Sequence, residues 1–208
     1  ATASTSDAWL ASVYFAFQIF GDFAGYSSIA RGLAKIIGFE LAPNFELPYL
    51  ARGFSDFWRR WHISLSSWLR DYLYISLGGN RGGRAATYRN LIATMLLGGL
   101  WHGAAWTYVV WGALHGAYLV IEHAVRTRFP GFLPETPRRG TVGAAVDIWQ
   151  MGVTFLLVLV AWVFFRAGSL EDATTLLRTM LLPSEWRVTA PAKRILVDGV
   201  WLVPMIAM

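Results

Sequence analysis

The stretch Val142-Gly-Ala-Ala-Val-Asp-Ile-Trp-Gln-Met-Gly-Val-Thr-Phe-Leu-Leu-Val-Leu-Val-Ala-Trp-Val-Phe-Phe165 decides the class of fold. Its second half, Thr154–Phe165, carries no ionisable group, and Arg166 follows directly. As a helix rising 1.5 Å per residue, the stretch would cross a hydrocarbon core of about 30 Å, with Arg166 snorkelling at its end. The rest of the composition fits the same solvent. Of the 208 residues 55% are hydrophobic and 15% charged, against roughly a quarter charged in soluble domains. The mean hydropathy is +0.43. Such a chain has too little charge to coat a water-facing surface and is expected to contact membrane lipids.

The net charge of +5 comes from short basic clusters between apolar runs, which mark cytoplasmic loops and attract anionic headgroups; nucleic acid is a poor alternative partner. With no cysteine in the chain, disulfides, thiolate metal sites and a cysteine nucleophile are excluded. No metal site is expected. The chain opens Ala1-Thr-Ala-Ser-Thr-Ser without an initiator Met and stops inside the apolar run Val197–Met208, so we expect a piece of a longer protein.

Outward from the deciding stretch, all segments read as helices or loops, and the expected class is all-α: a polytopic membrane protein with transmembrane, re-entrant and amphipathic interfacial helices. Ala8–Phe23 is apolar and runs into Gly21-Asp-Phe-Ala-Gly-Tyr26, which predicts a helix ending in a functional bend, with Asp22 as a helix-end residue at the headgroup level as the equal alternative. Ile29–Phe39, with Arg31 and Lys35, reads as interfacial. After Pro43 and Pro48, apolar residues from Phe54 to Tyr72 recur at helical spacing while Arg59, Arg60, Arg70 and Asp71 interrupt them. This predicts an amphipathic helix, or two short ones, capped by Ser55 or Asp56 and stopped at Gly78-Gly79.

Arg81, Arg84 and Arg89 precede the apolar region Asn90–Val125, and Arg126, Arg128, Arg138 and Arg139 follow it. Basic flanks on both sides imply an even number of crossings. The region is too long for one span and too short for two of about 20 residues, so a broken, partly re-entrant hairpin is expected, bent at Gly98-Gly-Leu-Trp-His-Gly103. Arg126–Gly140, with Pro130, Pro134 and Pro137, reads as a loop, and Ser169–Leu182 as an amphipathic helix opened by Ser169. A last apolar run begins after Lys193-Arg194.

His, Ser, Asp and Glu are left to do any chemistry. His102 lies deep in an apolar region beside Trp101 and glycines. An imidazole withheld from water favours its neutral form, which can take a proton from an attacking hydroxyl and return it to a leaving group. A structural histidine bonded between helices is the competing reading, although membrane-embedded ionisable residues are functional hypotheses by default. His62 sits on the amphipathic segment among tryptophans, 40 positions before His102, and spacing alone does not bring the two together. His115 is a lesser candidate, and His123, near Glu122 and Arg126, reads as a membrane-edge residue. No GxSxG, HExxH or Walker loop occurs, and Gly78-Gly-Asn-Arg-Gly-Gly83 lacks the lysine of a phosphate cradle.

In Asp56-Phe-Trp-Arg-Arg-Trp-His-Ile-Ser-Leu-Ser-Ser-Trp-Leu-Arg-Asp-Tyr-Leu-Tyr-Ile and Gly98-Gly-Leu-Trp-His-Gly-Ala-Ala-Trp, the chain resembles the membrane-bound O-acyltransferase family. It is most similar to the bacterial branch that acetylates alginate and related polysaccharides, with teichoic-acid D-alanylating members as cousins. The resemblance spans about Gly21 to Val125 and loosens beyond. It implies a multi-helix fold with a funnel through the bacterial inner membrane, a catalytic histidine at His102 and a second polar residue at His62. It also implies an acyl group passing from a cytosolic carrier to a periplasmic partner or polymer. Family members are about twice as long, so residues 1–208 would be one membrane domain, the C-terminal catalytic portion of a longer protein.

The reading is therefore acyl transfer from a thioester donor such as acetyl-CoA, with no bound cofactor, to a hydroxyl of an exported glycan or of a periplasmic acetyltransferase partner. His102 is the base and His62 an orienting or second proton-handling group. Arg59, Arg60, Arg70, Asn80, Arg81 and Trp101 are substrate-binding candidates, the guanidinium groups because they pair well with the donor's phosphates. Solvated charge bound to lipid headgroups is the competing account of that basic set. A transporter relaying protons through buried histidines, D-alanyl transfer and a non-catalytic scaffold are the rival functions.

Overall fold

The computed structural model describes residues 4–133 and 140–182, and within them the chain is helical. The helices are α1 (Thr5–Ile36), α2 (Phe54–Arg60), α3 (Ile63–Trp68), α4 (Gly83–His102), α5 (Trp106–Arg128), α6 (Gly140–Arg166) and α7 (Leu170–Leu181). A 3₁₀ turn at Pro48–Leu50 and a π-helical turn at Leu69–Tyr74 complete the described elements. Among the described residues α6 is the one helix long and apolar enough to cross a membrane. Pro134, Pro137, Arg138, Arg139 and the run after Lys193-Arg194 lie outside the described residues.

Three expectations are corrected. The bend at Gly21–Tyr26 does not occur, because α1 runs unbroken through Gly21, Gly25 and Gly32 to Ile36. A glycine in a helix costs only about 1 kcal/mol relative to alanine. The contacts of α1 with its neighbours offset that: Trp9 Nε1 donates to the Met180 carbonyl at 3.0 Å, the Tyr49 hydroxyl donates to the Ala16 carbonyl, and Phe15 meets Trp162 edge-on at 6.4 Å. Ile29–Ile36 is thus the end of α1.

The second correction concerns the hairpin, which turns at Gly103–Ala105 between two full helices of 20 and 23 residues. By taking in Gly83–Arg89, α4 reaches about 30 Å at 1.5 Å per residue. Gly98 and Gly99 are helical and serve packing instead of a bend. A Cβ on Gly99 would lie 2.3 Å from the Tyr108 carbonyl oxygen, and one on Gly112 would lie 2.4 Å from that of Met95. The backbones therefore touch, with α4 and α5 antiparallel. Arg84 and Arg89 share one end of this pair with Arg126 and Arg128, and His102 lies at the other.

The third correction is the cap of α2. Neither Ser55 nor Asp56 provides it: Gly53 is the N-cap residue, and the Glu122 carboxylate of α5 accepts from the backbone N–H groups of Phe54 and of Ser55, the latter at 3.1 Å. Arg126 pairs with the other Glu122 oxygen at 2.9 Å. A negative charge at exposed helix donors is favourable, and here it clamps α2 onto α5.

An aromatic core lies where α2, α5 and α6 meet: Trp162 packs on Trp61 at 5.0 Å and Trp111 at 6.1 Å, and Phe57 stacks on Trp61 at 5.7 Å. Asp147, inside the apolar α6, is buried against Arg52 with an N···O distance of 3.3 Å. Removing one member of a buried pair typically costs about 3–5 kcal/mol. Asp147→Ala should accordingly lower the thermal stability of the detergent-solubilised protein by that order, read by heating and counting the fraction still monodisperse. The amphipathic α7 forms as expected, with the Ser169 hydroxyl accepting from Asp172 N at 3.0 Å.

Candidate active site

The amphipathic segment breaks between α2 and α3. Trp61 is extended and forms a single antiparallel bridge with Phe45, while the Asn44 carbonyl accepts from Ile63 N at 3.0 Å. Between them His62 takes a left-handed backbone, φ 44° and ψ 55°, a conformation in which non-glycine residues are uncommon. The turn projects its imidazole against Phe23 of α1, ring centroids 4.5 Å apart, and towards Trp101 at 6.4 Å.

Trp101 in turn meets His102 edge-on at 5.0 Å. The two histidines left unconnected by sequence spacing therefore neighbour the same tryptophan. Burial, and behind it the charge His102 would carry, holds His62 well below the usual histidine range, at about 4. His62 is thus neutral at physiological pH, and it feels the protonation state of His102.

His102 is the last residue of α4, half-buried, ringed by Trp111 at 5.2 Å, Phe165 at 5.0 Å and Tyr108 at 6.2 Å. Gly103 lets the chain turn immediately beyond it, since a Cβ there would lie 2.7 Å from the Tyr108 ring. His115, by contrast, is fully enclosed: Phe57, Trp58, Trp111 and Tyr118 pack around it, and both ring nitrogens are buried without a partner. A ring so enclosed is part of the aromatic core. His123 packs on Tyr88 of α4 at 5.6 Å, and Glu122 and Arg126 serve the α2 clamp.

The basic candidates are spread along the chain, with Arg59 and Arg60 in the last turn of α2 just before His62. Arg60 is paired with Asp56 at 2.8 Å, and Arg70 with Asp71 at 2.7 Å. Asn80 accepts from the Tyr74 hydroxyl. Arg59 and Arg81 are exposed, with no ion pair among the described residues. Asn80 and Arg81 precede the start of α4, about 30 Å along that helix from His102. Sequence reasoning missed Glu122 and Asn90 as positioning residues. The Asn90 amide donates to the Leu77 and Gly79 carbonyls at 3.0 Å each and fixes the loop that carries Asn80 and Arg81; a buried asparagine inside an apolar helix was the available signal.

A histidine at the end of an apolar helical hairpin and a second one, from the turn between α2 and α3, both near Trp101, form the candidate site; the family is shown by comparison with known proteins. Residues 3–163 match the family model of the membrane-bound O-acyltransferases, and the chain belongs to that family. It is 50% identical over 186 residues to a protein named as a probable alginate O-acetylase of Azotobacter vinelandii, covering 89% of this chain and 35% of that relative. It is 43% identical over 174 residues to the peptidoglycan O-acetyltransferase of Helicobacter pylori, covering 84% of this chain and 31% of the relative. Identity to the teichoic acid D-alanyltransferase of Streptococcus thermophilus is 31%, covering 76% of this chain and 40% of the relative. The chain thus spans about a third of the length of the first two relatives.

Proposed function

We propose that the intact protein is a multi-pass bacterial inner-membrane O-acyltransferase. It moves an acyl group, acetyl first among the candidates, from a cytosolic thioester such as acetyl-CoA to a hydroxyl of an exported polysaccharide or of a periplasmic relay partner. The observation that carries the reading is that His62 and His102, 40 positions apart, both come within 6.4 Å of Trp101, ring centroid to centroid. The acceptor oxygen attacks the thioester carbonyl while His102 takes its proton; the C–S bond then breaks, and the imidazolium returns the proton to the departing thiolate. His62 orients the reacting groups and, being neutral, adds no competing positive charge. Trp101, near both rings, is a further substrate-contact candidate. Arg59, exposed in the last turn of α2 just before His62 and without an ion pair among the described residues, is the stronger donor-phosphate candidate, whereas Arg81 lies about 30 Å along α4 from His102. Arg60, Arg70 and Asn80 are each held by a neighbour. Relatives named for acetyl and for D-alanyl transfer support the general chemistry.

The test is to supply membranes containing the intact protein with acetyl-labelled acetyl-CoA and follow the label. Its appearance as ester on glycan or on a periplasmic protein, with stoichiometric CoA thiol release, is the expected outcome. Solute or proton flux in proteoliposomes without any thioester, and no ester formation, would favour the transporter instead.

A further inference from the structure

The first N–H groups of a helix have no partner within it, and the N-cap residue ordinarily serves one of them through its side chain. At the start of α3 that residue is His62, whose side chain makes no such bond. Asn44, on the loop after α1 and 20 positions before Ser64, takes over the task. Its backbone carbonyl accepts from Ile63 N at 3.0 Å, and its side-chain oxygen accepts from Ser64 N at 3.2 Å and from the Ser64 hydroxyl at 2.7 Å. A backbone N–H can only donate, so the carboxamide oxygen is the atom that faces Ser64. The amide nitrogen then points the other way and donates to the Ser27 hydroxyl of α1 at 3.4 Å.

One side chain thus ties the start of α3 to α1, the helix whose Phe23 ring the His62 imidazole faces at 4.5 Å. The same loop holds the chain on the other side of His62, where Phe45 bridges to Trp61 and Glu46 N donates to the Arg60 carbonyl at 3.0 Å. His62 is the residue between these two sets of bonds, and it is left-handed. A residue with a Cβ keeps that conformation where its surroundings over-determine it, and here the bonds on both flanks do so. Resting on the acyl-transfer reading, we propose that Asn44 is the positioning residue of His62. Its carbonyl and carboxamide lock the turn between α2 and α3 and so fix the direction in which the imidazole meets the reacting groups; Asn44 acts on the reaction through His62 alone.

The test uses membranes containing the intact protein, labelled acetyl-CoA, and extracellular glycan of the producing strain stripped of its esters by mild alkali, with rates normalised to the protein that stays monodisperse in detergent. Asn44→Ala should lower kcat about tenfold or more, because a displacement of about 1 Å at a reacting group can cost as much as a hundredfold. The KM for acetyl-CoA should stay within about twofold. Asn44→Asp is the rescue: a carboxylate accepts from Ser64 N and from its hydroxyl alike and ranks with asparagine as a cap, so its rate should stay within about threefold of the unaltered protein. Adding Asn44→Ala to His62→Ala should change the remaining rate by less than about twofold, since nothing is left to position. If Asn44→Ala does not accumulate, Ser64→Ala removes one of the bonds alone and should lower kcat about threefold, again only while His62 is present.

An unaltered rate in Asn44→Ala, an Asn44→Asp variant as slow as the alanine, or a full further loss on top of His62→Ala overturns the proposal while leaving acyl transfer standing. A full rate in His62→Ala removes the role of His62 and that of Asn44 with it. Failure of the unaltered protein to esterify any acceptor removes the acyl-transfer reading itself.

Discussion

Replacing His102 with alanine is expected to lower ester formation roughly 10²–10⁴-fold, the loss typical of a positioned general base. Membrane insertion and solubilised yield should be unchanged. The ring is half-buried, and its neighbours Trp111 and Phe165 also pack on Trp162, so the core survives the truncation. Steady-state rates at saturating acetyl-CoA, normalised to the protein in the membrane, would measure it. A rate within threefold of the unaltered protein would rule out the base assignment. His62→Ala should fall less far, since it removes an orienting group and leaves the base.

Gly112→Ala is expected to unseat the hairpin. The new methyl group would lie 2.4 Å from the Met95 carbonyl oxygen and 3.1 Å from its carbon, both backbone atoms that no rotamer change can move. Overpacking of a tight core costs about 1–3 kcal/mol, and an obstruction by main chain belongs at the upper end. Gly99→Ala meets the Tyr108 carbonyl in the same way. Either change pushes α4 from α5 and displaces His102 relative to Tyr108, so both thermal stability in detergent and transfer rate should drop. Gly32→Ala is the control: nothing lies within 4 Å of its Cβ, and an alanine inside a helix gains about 0.5–1 kcal/mol over glycine.

What the sequence disclosed is what local chemistry controls. Thr154–Phe165 reads as helix because nothing in it is charged, and Ser169 reads as a cap because its hydroxyl serves an amide three residues on. The glycines at 21 and 25 misled because their local cost is small beside the packing of α1 on distant residues. Long-range pairing was illegible for the same reason. Glu122 caps a helix 67 positions earlier, and Arg52 meets Asp147 across 95. No spacing rule encodes either contact. The candidate site divides along that line: His102 stood out by its apolar surroundings, whereas its meeting with His62 depends on a turn of α2 into α3 that periodicity does not predict.

That turn has an energetic corollary. Among the described residues only Leu47 and His62 hold positive φ without being glycine, and they lie on the two segments joined by the Phe45–Trp61 bridge. A left-handed residue with a Cβ is disfavoured by roughly 1–2 kcal/mol, a penalty glycine escapes. The chain thus tolerates a less comfortable main chain where an aromatic nitrogen base is turned towards Phe23 of α1 and Trp101 of α4.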